Sequence, residues 1–95
     1  MAQPYERYVG TYTGDGAAKT LTIGFKPAYI RVLNFTDRIE YEKYNTMAAA
    51  DTLKTVAAGT RTLETGSDIV LTNKGATISL GANINAKVFH VFAVK

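Results

Sequence analysis

Glu40 and Glu42 stand two positions apart in the segment 39–44. On an extended backbone that spacing puts both carboxylates on one face, about 7 Å apart. The distance overlaps the range used by acid pairs that cleave glycosides. Such a pair must flank a sugar in a cleft, whereas neighbours on one strand lie side by side on one surface, where Arg38 and Lys43 offer them ion pairs. His90 is the only histidine, and Ser67 and Ser79 are the only serines. Neither serine sits in the turn pattern of an activated nucleophile, and His90 lies inside the most apolar segment of the chain, so a packed or interfacial histidine is expected. One histidine and no cysteine leave no recognisable spacing for a transition metal. Gly14-x-Gly16 lacks the third glycine, the following helix and the lysine of a phosphate loop, and it reads as a hairpin turn. The expectation is a protein without catalytic residues, cofactor or metal. Tyr29, Tyr41 and Tyr44 form a set that either stacks on bases or sugar rings, or spans core and rim with wet hydroxyls.

The elements that carry these residues are strands. Thr, Val, Ile, Tyr and Phe recur in short alternating segments between turn-forming clusters. Strands are expected at 7–13, 19–25, 28–35, 39–44, 60–64, 69–72, 76–80 and 87–94. In 19–25, Leu21, Ile23 and Phe25 share one face; in 28–35, Ile30 and Val32 oppose Tyr29, Arg31, Leu33 and Phe35. Segment 45–59 is ambiguous: 47–53 has helix propensity with Thr46 as a cap, while Thr52, Thr55 and Val56 equally suit a loop leading into another strand; a turn or two of helix is expected there. The last strand is apolar on both faces, with Val88, His90, Phe92 and Val94 on one and Phe89, Val91 and Ala93 on the other. Such a strand belongs inside a sheet stack or at a subunit contact. The fold class expected is all-β: a small antiparallel β-sandwich or jelly-roll-like domain of about seven or eight strands with at most one short helix.

Ninety-five residues make a single domain, 1–95, whose small core gains from neighbouring subunits. Eleven basic residues against eight acidic ones give a net charge of +3, and the basic residues are scattered, unlike a nucleic-acid patch. A small nucleic-acid-binding barrel is therefore disfavoured. No apolar run approaches the roughly 20 residues needed to span a bilayer, and the N-terminus lacks the basic and apolar parts of a signal peptide. Neither a membrane nor direct nucleic-acid contact is expected. The polar stretch 1–8 reads as a flexible N-terminal arm that orders on docking against a neighbour.

Residues 12–34, YTGDGAAKTLTIGFKPAYIRVLN, resemble the opening of small virion structural proteins of tailed bacteriophages: a Gly-x-Gly turn, a strand ending in Gly-Phe-x-Pro, then an apolar strand. Asn45-Thr46-Met47, residues 54–60, Gly75-Ala76-Thr77-Ile78, Ile84-Asn85 and the closing His90-Val91-Phe92-Ala93 resemble the same group in the same order. Ala76, Ser79 and Phe92 depart from it, where a bulkier residue, a glycine and a Trp or Tyr would stand. The resemblance supplies no catalytic residues. It implies a capsid decoration (cement) protein on the virion surface, assembled in the host cytoplasm, homotrimeric and bound to the major capsid protein. The alternative it leaves open is a tail-fibre or tail-tip module that binds host glycans. A start at Met1 without a fibrous shaft favours decoration. The interface candidates are Tyr5, Arg7 and Tyr8 from the arm, Tyr41 and Tyr44 from the tyrosine set, and His90 and Phe92 from the last strand.

Overall fold

The computed structural model describes residues 6–95. Nine strands run in chain order: β1 (Arg7–Thr13), β2 (Lys19–Thr22), β3 (Tyr29–Asn34), β4 (Ile39–Tyr44), β5 (Thr52–Thr55), β6 (Arg61–Glu64), β7 (Ile69–Thr72), β8 (Gly75–Ile78) and β9 (Val88–Val94). They form a six-stranded antiparallel sheet ordered β1-β9-β3-β4-β5-β6 and a three-stranded one ordered β2-β8-β7. The all-β sandwich expected from the alternation is the observed fold.

Alternation decides which side chains enter the core. From the large sheet come Tyr12, Ile30, Val32, Tyr41, Phe89, Val91 and Ala93, and from the opposite layer Leu21, Ile69, Ala76 and Ile78, with Phe25 and Ala82 from the connections. Tyr12 stacks on Phe89, and its phenol donates to the Ala82 carbonyl at 2.5 Å. Burial there pushes the Tyr12 phenol far above its ordinary range.

Three local expectations are corrected. Residues 47–53 are not helical: turns lead into β5, the loop-and-strand alternative for this segment. Lys43, inward-facing and almost fully buried, donates its ammonium to the carbonyls of Ala48, Ala49 and Asp51, so these acceptors are taken by a side chain instead of a helix ladder. Helical structure lies instead in a 3₁₀ turn, Leu80–Asn83. The Gly14–Gly16 turn does not close a hairpin, because β1 and β2 belong to different sheets. Asn83 holds this crossing: its amide donates to Asp15 Oδ1 at 2.7 Å and to the Ala17 carbonyl, and its own carbonyl accepts from the Gly16 amide. Finally, Arg7 and Tyr8 are not part of a free arm: they pair with Val94 and Ala93 as the start of β1. Of the rest of that arm, Glu6 is described and its carboxylate meets Lys95 Nζ at 2.7 Å, while residues 1–5, and hence Tyr5, lie outside the described residues.

Candidate interaction face

Cross-strand partners share a face, so the register of the large sheet lays out its solvent side in rows. One row crosses Arg7, Val94, Tyr29 and Tyr44. The next crosses Val9, Phe92, Arg31, Glu42, Leu53 and Leu63. The third crosses Thr11, His90, Leu33, Glu40, Thr55 and Arg61.

These rows divide the face chemically. The β1–β9 end is apolar: Val9 is 75% exposed, Val88 44% and Phe92 37%. Phe35, 66% exposed in the β3–β4 turn, extends this patch by meeting the His90 ring edge-on at 5.5 Å. The turn that presents Phe35 is built by Asn34, whose carbonyl oxygen accepts from the Asp37 amide at 3.1 Å while its amide donates to Asp37 Oδ2 at 2.9 Å. Large apolar side chains held together in water mark contact surfaces.

The middle of the face is charged and self-paired. Arg31 lies 3.6 Å from Glu40, Arg61 lies 3.6 Å from Glu42, and the Tyr29 hydroxyl donates to Glu42 Oε2 at 2.7 Å. Burial and then the Glu42 carboxylate raise the Tyr29 phenol above its ordinary range, so it stays a donor. Arg31 and Arg61, rather than Arg38 and Lys43, are thus the cationic partners of the two glutamates. Register explains the correction: Arg31 faces Glu42 and neighbours Glu40 across the β3–β4 pair, while Lys43 points into the core. The glutamates lie side by side on an open sheet surface, each engaged by an arginine, rather than on opposite walls of a cleft as an acid pair around a sugar would.

Of the residues singled out from the sequence, the structure brings Arg7, Tyr44, His90 and Phe92 onto this one face. Tyr29 and Tyr44 pair at its edge with ring centroids 4.8 Å apart and 50° between planes. Tyr41 does not join them. It is the inward residue between Glu40 and Glu42, 1% exposed, with Lys54 Nζ 5.9 Å from its ring centroid. Burial, then the carboxylates of Asp68 and Glu64, push its phenol up to about 12. Tyr8 packs half-buried against the core from the inner side. Tyr41 and Tyr8 are therefore core residues of the isolated chain. Sequence reasoning did not single out Val9 and Phe35 as exposed apolar residues, although the split alternation of β9, with Val88 and Phe92 on its outer side, signals the patch they complete.

A concavity of about 150 Å³ lies beneath the 45–51 segment and is lined by Lys26, Lys43, Asn45, Met47, Val70 and Leu71. Its buried cation, Lys43, is already satisfied by backbone carbonyls. No helix among the described residues is long and apolar enough to cross a membrane. Comparison with protein-family models, curated proteins and solved structures found no match.

Proposed function

We propose that the chain is a bacteriophage virion structural protein, a capsid decoration protein that self-associates and binds the major capsid protein. The observation that carries the reading is the apolar end of the large sheet, where Val9, Phe35, Val88 and Phe92 stand exposed around His90. The resemblance of the strand-and-turn motifs to phage virion proteins supplies the class of partner. Burying this patch against a capsid subunit removes apolar surface from water at roughly 25 cal/mol per Å². Each copy contributes a modest contact, and many copies on a symmetric shell add through avidity. The self-paired glutamates and arginines beside the patch leave it little net charge to desolvate. The test is cosedimentation with capsids assembled without this chain. Saturable binding that Val9→Asp together with Phe35→Asp abolishes supports the reading, and no binding by the unaltered chain overturns it.

A second reading, a tail-associated glycan-binding module, is favoured by the Tyr29–Tyr44 pair, since Tyr44 is 47% exposed and offers a ring to stack on a sugar. A glycan-array signal lost on Tyr44→Ala would support it, and silence across the array would remove it.

A further inference from the structure

The four sheet edges among the described residues are not alike. β2, β6 and β7 span four residues each, whereas β1 spans seven. Short or charged edges resist pairing with other chains; long, flat, weakly charged ones invite it. β6 carries Arg61 and Glu64 in its four positions, while β1 has Arg7 alone among its seven, and no proline.

The hydrogen-bond phase of β1 is fixed by its partner. The Lys95 amide donates to the Glu6 carbonyl at 2.9 Å and the Gly14 amide to the Lys87 carbonyl at 2.8 Å, so the even-numbered residues turn their peptide groups toward β9. The peptide groups of Arg7, Val9, Thr11 and Thr13 consequently face out from the sheet edge. An antiparallel partner must match outward groups with outward groups. A second copy of the same strand does so when a two-fold axis passes through Gly10. Arg7 then faces Thr13 of the other copy and Val9 faces Thr11, every outward amide and carbonyl of the strand finds a partner, and the single charge meets a threonine instead of its like.

The residue on the axis suits that role. Gly10 would meet its counterpart in the closer, non-hydrogen-bonded kind of pair, about 4.5 Å between Cα atoms. Glycine leaves room there, and the Tyr8 ring already lies over it, where a Cβ at position 10 would collide. Two such rings flank the axis on the inner side. On the outer side Val9 and Phe92 of both copies form one apolar strip.

We infer that two copies of this chain associate through their β1 edges about a two-fold axis at Gly10, joining two six-stranded sheets into one. The strand spans roughly 23 Å, a contact at the low end for specific association, so the pair exchanges with monomer on dilution. This goes beyond the decoration reading and does not rest on it, because its test uses the isolated chain. It also differs from the trimer that the resemblance implies, and the mass of the assembly decides between them.

The experiment is sedimentation equilibrium of the full chain across micromolar to millimolar concentration. A monomer–dimer equilibrium is expected, with mass rising to about twice 10.3 kDa. Val9→Pro removes an outward donor and no internal bond, so it is expected to weaken dimerisation at least tenfold with the far-ultraviolet dichroism of the unaltered chain. Should that variant misfold, cysteine pairing gives an independent reading in this cysteine-free chain. Val9→Cys mixed with Thr11→Cys should form an intermolecular disulfide under mild oxidation, and neither variant alone should match its yield. A trimer, a monomer at all concentrations, or cross-linking that ignores the 9–11 pairing overturns the inference.

Discussion

Tyr12 and Phe89 stack at 5.1 Å with 9° between their rings, tying the first strand to the last in the middle of the core. The same tyrosine donates its hydroxyl to the Ala82 carbonyl in the 3₁₀ turn, so one side chain ties the β8–β9 connection to β1. Tyr12→Phe keeps the stack and leaves the carbonyl unpaired, for an expected loss of about 1–2 kcal/mol in urea unfolding. Tyr12→Ala opens a cavity and should cost about 3–5 kcal/mol.

Lys43 is a structural cation. Replacing it with Met keeps most of the stem volume and removes the donor shared by Ala48, Ala49 and Asp51. The expected result is a loss of about 2–3 kcal/mol, the scale of unpaired buried groups, with faster amide exchange confined to residues 45–51. A loss spread evenly over the sheet would contradict this role.

Asp68 is buried, and burial, followed by the nearby Glu64 carboxylate, raises its carboxyl above the ordinary aspartate range. A folded-state value above the unfolded one means the folded chain binds the proton more tightly. Asp68 therefore opposes folding most at pH above its folded value, and that penalty fades as pH falls toward the ordinary value. Asp68→Asn should raise the melting temperature at neutral pH, with the gain shrinking toward pH 4. A gain independent of pH would rule out titration as its cause.

The Arg31–Glu40 pair is exposed, with side chains 48% and 38% accessible. Glu40→Gln should cost less than about 1 kcal/mol and even less in high salt. A larger loss would make the charged half of the face a framework of the fold instead of a surface.

Much of the architecture is legible in the residues. Period-two alternation locates β4 and β7 at their observed bounds and orients Ile30, Val32 and the three inward residues of β9. The signal fails where a long-range partner decides. A local reading of 47–53 finds helix formers, but Lys43 takes the carbonyls and β5 pairs with β4. Tyr41 looks like Tyr44 in sequence, and only its place between the outward-facing Glu40 and Glu42 sends it to the core. The apolar end of the large sheet is half legible: β9 announces a second apolar side, whereas Val9 and Phe35 join it through register and a turn that no local pattern encodes.

The central claim is that the apolar end of the large sheet is a binding surface for a capsid. The most direct measurement is the occupancy of this chain on capsids assembled without it, for the unaltered protein and for Val9→Asp/Phe35→Asp, both first shown to be folded. The account predicts saturation at a fixed number of copies per capsid for the first and no retained protein for the second. Equal occupancy by both, or binding by neither, would contradict it.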